Sequence, residues 1–342
     1  MILLTGDAEE QLSDMHGNTF QCCVTSPPYF GLRDYKQPGQ IGLEVTPELY
    51  IKSLSRVFRE VWRVLRSDGT LWLNLGDSYA RDARKGQHKP GDTGKQAYIY
   101  DSGGGRASSM MELNEESDIK PKELLGIPWR VAFALQSWGW YLRSDIIWAK
   151  PNPMPESVTD RPTRSHEYLF LLTKSKNYYY NHEAVKEPAV CDRIRGPANH
   201  RDTEMTNGNS GLGRRARERN ARDSFKRIGS KREEVHPVQN TGTHRPERQE
   251  DSWDITKRNL RDVWTINTKP YRGAHFAVFP EALVEPCILA GSQPGDLILD
   301  PFMGSGTVGV VCARLDRIFT GIDLNPDYVT LAESRISSVQ PG

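Results

Sequence analysis

Apolar positions recur along this chain at two different periods. Ile2–Thr5 and Phe20–Thr25 are short continuous apolar runs bounded by turn-forming residues, which predicts buried strands. Residues 8–15, between them, are weakly helical. Over 47–65 the pattern changes. Leu49, Leu54, Val57, Val61 and Leu65 return at the spacing of one face of an amphipathic helix. Ser67-Asp68-Gly69 ends that helix, and 70–75 reads as a buried strand. Further on, 128–138 predicts a helix, 145–148 and His166–Thr173 strands, and Tyr178-Tyr179-Tyr180 a short extended piece. The last part alternates again: strand at 296–300, helix at 308–315, strand at 318–322, helix at 326–336. Alternation of this kind predicts an α/β fold with a mainly parallel sheet covered by helices.

Two stretches break the pattern. Residues 81–120 are rich in Gly, Lys, Asp and Ser and predict a mobile loop. Residues 186–262 hold few apolar positions and no period. Between Arg193 and Arg232 stand twelve Lys/Arg against four Asp/Glu, although the whole chain of 342 residues has a net charge of only +1. Such a stripe suits either a solvated insertion or a segment facing nucleic-acid phosphates.

The five cysteines form no CxxC pair, so neither a zinc site nor a disulfide framework is expected. Met1-Ile2-Leu3-Leu4 is too short for a signal peptide, and no apolar run approaches a membrane span. The expectation is a cytoplasmic protein with no membrane association and no metal.

Chemistry concentrates at two corners. Gly304, Gly306 and Gly309 form G-x-G-x-x-G between a predicted strand and helix, and Asp323 ends the next strand. This is the layout of a nucleotide-binding βαβ unit, with the acid placed to accept from ribose hydroxyls. Asp300 closes the strand before the loop. A carboxylate there repels a pyrophosphate, which disfavours a nicotinamide dinucleotide and an NAD-dependent dehydrogenase. It suits a cationic cofactor such as S-adenosylmethionine. Only two strands follow residue 295, so the sheet must draw others from the N-terminal part, and the domain must be permuted. The second corner is Thr25-Ser26-Pro27-Pro28-Tyr29, where two prolines end a buried run. Proline cannot continue a central strand.

Ser26-Pro27-Pro28-Tyr29 resembles the (D/N/S)PP(Y/F) catalytic motif of DNA amino-methyltransferases. Asp300-Pro301-Phe302-Met303-Gly304-Ser305-Gly306-Thr307 resembles their AdoMet-binding DPFxGSGT motif. The catalytic motif comes first, as in the permuted β group of the family, and matching segments span nearly the whole chain. The resemblance implies a Rossmann-like AdoMet-dependent methyltransferase fold with helices on both faces of the sheet and a circularly permuted motif order. It implies a catalytic half at 1–185, a target-recognition insertion at 186–262 and an AdoMet-binding half at 263–342. Gly6-Asp7 resembles the segment whose acid contacts the cofactor adenine. Phe279 and Pro280 resemble the segment that holds the methionine end, and Asp323, with Asn325 beyond it, the ribose-binding motif. Residues 71–77 and 165–174 resemble the family's catalytic-half strands.

Methylating an exocyclic nitrogen is hampered by delocalisation of its lone pair into the ring. Ser26 Oγ and the Pro27 carbonyl can accept the amino hydrogens and localise that pair, and the prolines hold both acceptors still. A base inside a duplex must be flipped out, and Tyr29 is the expected stacking platform, with Phe30 a second candidate. Serine at the motif's first position is, in the family, more typical of cytosine-N4 enzymes; the alternative is adenine N6. The C5 reaction needs a cysteine nucleophile, and Cys22 and Cys23 lie within the strand. Double-stranded DNA is the expected partner, with Arg33, Lys150, Arg161, Arg164, Arg214, Arg215 and Arg217 as candidate contacts. Asp34 and Tyr35 share the loop of Arg33. His166-Glu167 resembles a metal pair but lacks a third ligand, so a structural role is expected for it. Intact Ser26–Tyr29 argues against an inactive DNA-binding module. The protein is expected to be a monomer or homodimer.

Overall fold

The computed structural model describes residues 1–80, 120, 122–189, 256–268 and 279–339. The strands are β1 (Ile2–Thr5), β2 (Phe20–Thr25), β3 (Leu65–Leu75), β4 (Tyr141–Ala149), β5 (His166–Thr173), β6 (Glu187–Pro188), β7 (Lys257–Arg258), β8 (Val263–Thr265), β9 (Leu297–Asp300) and β10 (Ile318–Asp323). The helices are α1 (Ala8–Ser13), α2 (Pro47–Val64), α3 (Ile127–Trp138), α4 (Glu281–Gly291), α5 (Thr307–Arg314) and α6 (Pro326–Ser337). Eight strands form one sheet in the order β1-β10-β9-β2-β3-β5-β4-β8. Its neighbours are parallel except where β5 runs against β3 and β4.

The permutation is visible in this order. β2, near the chain start, pairs in parallel with β9 near its end, Cys23 lying opposite Leu299. Strand residues alternate between two cores, so both sheet faces are covered. Cys23, Leu71, Leu73, Phe170 and Leu172 pack with Leu12, Leu54, Val57, Val131 and Leu135 of α1, α2 and α3. Cys22, Val24, Trp72, Leu169 and Leu171 pack with Val284, Ile288, Val308, Val311 and Ala332 of α4, α5 and α6.

Several elements differ from the sequence reading. α2 buries Tyr50, Leu54, Val57, Phe58, Val61 and Val64, while Leu49 is exposed and Leu65 opens β3. The side chain of Thr46 accepts from Leu49 N at 3.3 Å, and Leu49 lies in the capped first turn. α4 escaped the periodic reading because it is apolar nearly all round and carries Pro286. Tyr178-Tyr179-Tyr180 is irregular backbone rather than strand, tied by Tyr179 N to Asp68 O at 2.9 Å. Residues 1–186 and 259–342 form one compact unit and 187–258 a second. In the second, β6 and β7 pair antiparallel, and Arg258 Nε meets Glu187 Oε1 at 2.8 Å. Most of the loop expected at 81–120 and of the insertion expected at 186–262, with Arg214, Arg215 and Arg217, lies outside the described residues. No helix among the described residues is long and apolar enough to cross a membrane.

Candidate active site

Strand direction decides which residues meet. β1, β10, β9, β2 and β3 are parallel and finish at one edge of the sheet. They deliver Gly6-Asp7, Leu324-Asn325, the 301–307 loop, the 26–29 corner and Gly76-Asp77 to that edge. β5 is reversed, with Tyr168 opposite Leu75, so its first residues His166 and Glu167 arrive at the same place. β4, reversed again, brings Lys150 there after Ala149. These segments line a cavity of about 960 Å³. Ligands in open α/β sheets bind at this carboxyl edge.

One side of the cavity is the glycine loop. Asp323 lines it and receives two backbone donors, Gly304 N at 2.9 Å and Asn325 N at 2.8 Å. Burial raises its carboxyl above the usual range against those two bonds. Phe279, Pro301, Phe302, Gly304, Ser305, Thr307 and Asn325 line the same space, as does Asp7, whose Oδ1 caps α1 by accepting Glu9 N at 2.9 Å. Thr307 Oγ1 is buried without a hydrogen-bond partner among the described residues. A buried orphan hydroxyl on a cavity wall, beside a ribose-competent carboxylate, fits a nucleoside cofactor that also carries a polar amino-acid end.

Three predicted cofactor residues are placed differently. Pro280 precedes α4 as its N-cap and is buried away from the cavity lining. Gly306, with φ 77°, faces protein: a Cβ there would stand 2.7 Å from Ala332 Cβ, so its small size serves the packing of α5 on α6. Asp300 is buried behind the loop rather than on the cavity wall. Its Oδ1 accepts Thr25 Oγ1 at 2.7 Å and Phe302 N at 3.1 Å, so it joins the two corners across 275 residues of sequence. Its Oδ2 has no partner among the described residues, and burial pushes the carboxyl up to about 7.

The 26–29 corner forms the opposite wall. Ser26, Pro27, Pro28 and Tyr29 all line the cavity. Tyr50 OH donates to the Pro28 carbonyl at 2.8 Å, while no donor among the described residues engages the Pro27 carbonyl. The Tyr29 ring lies against Gly76, where a Cβ would stand 2.5 Å from Tyr29 Cε2. Phe30 is no platform: it is buried, and its ring packs against Tyr50 at 5.5 Å between centroids. Cys22 and Cys23 are fully buried, and burial pushes the Cys22 thiol up to about 12 and Cys23 well above its ordinary value. Neither is a thiolate nucleophile.

The sequence reading missed a polar cluster beneath Tyr29. Tyr29 OH donates to Glu167 Oε2 at 2.7 Å, and Ser26 Oγ donates to Tyr29 OH at 3.3 Å. Asn74 Nδ2 reaches Tyr29 OH at 2.5 Å and Glu167 Oε2 at 2.9 Å. Lys150, expected at a DNA phosphate, is instead ion-paired with Glu167 and lies 4.1 Å above the Trp148 ring. Arg161 pairs with Glu156 at 2.8 Å and covers the Tyr79 ring at 3.9 Å. Arg164 donates to the Asp77 carbonyl, and it and Arg33 line the cavity. The cluster's signal in the sequence was His166-Glu167 opening a strand; only the reversal of that strand shows where it points.

The family model described as DNA methylase, of the N6/N4 methyltransferases, matches residues 20–334. The chain is 46% identical over 334 residues to the type II methyltransferase M.SmaI of Serratia marcescens, covering 98% of this chain and 90% of that protein. Two solved structures share the fold. PvuII DNA methyltransferase, described as cytosine-N4-specific, superimposes with a TM-score of 0.58 at 15% identity, covering 99% of this chain and 87% of that one. TTHA0409 of Thermus thermophilus, solved with S-adenosyl-L-methionine, gives 0.54 at 21% identity, covering 98% and 93%. The permuted sheet, the two corners on one cavity and these matches together make this chain a DNA methyltransferase of the N6/N4 DNA methylase family.

Proposed function

We propose that the chain transfers a methyl group from S-adenosylmethionine to the exocyclic N4 of a flipped cytosine in duplex DNA. One observation carries this reading: adjacent parallel strands β9 and β2 end in the glycine loop and in Ser26, and both ends line one cavity. S-adenosylmethionine, when bound, supplies an electrophilic sulfonium methyl. On the protein side, Asp323 accepts from ribose hydroxyls, Asp7 accepts from the adenine amine, and Thr307 Oγ1 gives the methionine carboxylate a donor. Ser26 Oγ and the Pro27 carbonyl accept the two hydrogens of the target amine. With those hydrogens engaged, the nitrogen pyramidalises and its lone pair is localised for in-line attack. Tyr29, held close against Gly76 on the cavity wall, is the stacking surface for the flipped base.

Serine at position 26 supports cytosine as the base. Residues 186–262 carry target recognition on this reading, with Arg214, Arg215 and Arg217 meeting phosphates. Neutralising those arginines lowers DNA affinity and its salt slope together. The direct test is methyl-labelled S-adenosylmethionine with duplex DNA, followed by digestion to nucleosides. N4-methylcytosine is expected. N6-methyladenine alone overturns the base, and label absent from DNA overturns the reaction.

A further inference from the structure

A serine hydroxyl both donates and accepts, so Ser26 helps the reaction only if something else occupies its hydrogen. The cluster beneath Tyr29 does this, and its direction follows from one charge pair. Lys150 Nζ has only hydrogens to offer and holds Glu167 Oε1, with both side chains 16% exposed. Glu167 paired with an ammonium accepts and does not donate. Asn74 then presents its amide hydrogens, because the reverse orientation would set Oδ1 against the carboxylate at 2.9 Å. Tyr29 has one hydrogen, and its remaining acceptor is Glu167 Oε2 at 2.7 Å. The phenol's lone pairs receive Asn74 at 2.5 Å and Ser26 Oγ at 3.3 Å. With its hydrogen so engaged, Ser26 Oγ is left with lone pairs for the amine.

Resting on the amine-methylation reading above, we propose that Glu167, clamped by Lys150 and Asn74, is the positioning residue that makes Ser26 an acceptor, and that it takes the proton the product releases. When the new C–N bond forms, the S–CH3 electron pair leaves with sulfur and the nitrogen carries one hydrogen too many. That proton passes to Ser26 Oγ, the serine's own to the Tyr29 oxygen, and the phenol's to Glu167 Oε2. The amine leaves neutral, both hydroxyls are restored and Glu167 becomes a carboxylic acid. Glu167 lines the cavity, so water can collect the proton after the product departs. Burial and the Glu167 charge hold the Tyr29 phenol well above its ordinary pKa, which keeps it a donor between turnovers.

The test is a double-mutant cycle on the single-turnover methylation rate with labelled S-adenosylmethionine. Glu167→Gln preserves shape but lets the amide donate to Tyr29. It should slow methylation about 100-fold, with cofactor and DNA dissociation constants within about threefold of wild type. Tyr29→Phe removes the link itself. Adding Glu167→Gln to it should slow methylation by less than about threefold more. A Glu167→Gln rate close to wild type, or losses that multiply in the double variant, overturns the inference. If Glu167→Gln does not fold, judged by its thermal melt and cofactor binding, Lys150→Gln carries the same cycle with the same two outcomes. Wild-type protein that never labels DNA overturns the proposed reaction instead, which separates the two failures.

Discussion

Replacing Asp300 with Asn should stabilise the cofactor-free fold at neutral pH, and by less as the pH falls. In the native state the carboxyl is buried, one oxygen has no partner among the described residues, and its proton is held up to about 7, against 3.8 for an ordinary aspartate. Burial is the largest cause; the bonds from Thr25 and Phe302 act the other way. The sign follows from proton binding. Between the two values the native state holds a proton that the unfolded chain has released, so stability falls as pH rises from about 4 to 7. A carboxyl raised that far costs the native state about 4 kcal/mol, reached in full only above the upper value. Asn mimics the protonated acid at every pH and keeps an oxygen for Thr25 and Phe302. Nearby Cys23 and Cys312 stay neutral in this window because burial raises both thiols, while Asp323 is a nearby carboxylate that also titrates upward. Urea unfolding of the cofactor-free proteins at pH 5, 6, 7 and 8 measures the difference. The Asn variant's advantage should widen by about 2–3 kcal/mol from pH 5 to 8. A gap that is flat with pH would show that the carboxyl titrates like a solvated one and that the burial argument is wrong.

Gly76→Ala places a Cβ 2.5 Å from the Tyr29 ring and should cut methylation at least about tenfold, with cofactor affinity within about threefold, by single-turnover kinetics and calorimetry. Equal rates would mean that Tyr29 moves freely. Asp323→Asn should raise the cofactor dissociation constant about tenfold or more, because it removes the ribose acceptor charge beside Gly304 N and Asn325 N. Unchanged affinity would put the ribose elsewhere. Gly306→Ala meets both a φ of 77° and Ala332 Cβ at 2.7 Å. It should destabilise the protein by about 2–4 kcal/mol, read as a lower denaturant midpoint, and a neutral result would refute its packing role.

The residues legible from sequence were those whose chemistry is local. Proline after an apolar run announces the corner at Ser26, and glycines between a strand and a helix announce the loop at Gly304, because each constrains its own backbone. The missed features depend on what the chain meets elsewhere. α4 is packed into the core and lacks the polar face that periodicity detects. Leu49 shares the apolar spacing of α2 yet lies at its exposed start, so spacing alone placed it wrongly in the buried face. Gly306 matches a ligand-cradling pattern, but its neighbour is Ala332, supplied by a helix twenty-odd residues later.

Glu167 shows most clearly why part of the site was unreadable. Along the chain it is 138 residues from Tyr29 and follows a histidine, which suggests a metal pair or a strand start. In a uniformly parallel sheet the first residue or two of β5 would lie at the edge opposite the cavity. Because β5 runs against β3, those residues reach the carboxyl edge, and the further reversal at β4 brings Lys150 beside them. An ion pair then forms with little solvent around it, a setting in which removing one partner is costly and geometry is tightly held. The permuted order of the chain matters less: Thr25 meets Asp300 because β2 and β9 are neighbours, whichever comes first in sequence. Strand direction, not segment order, therefore decides which charges line the cavity. β5 follows β4 in the chain and pairs antiparallel beside it, so its direction comes from that reversal of the chain, which no residue within β5 announces.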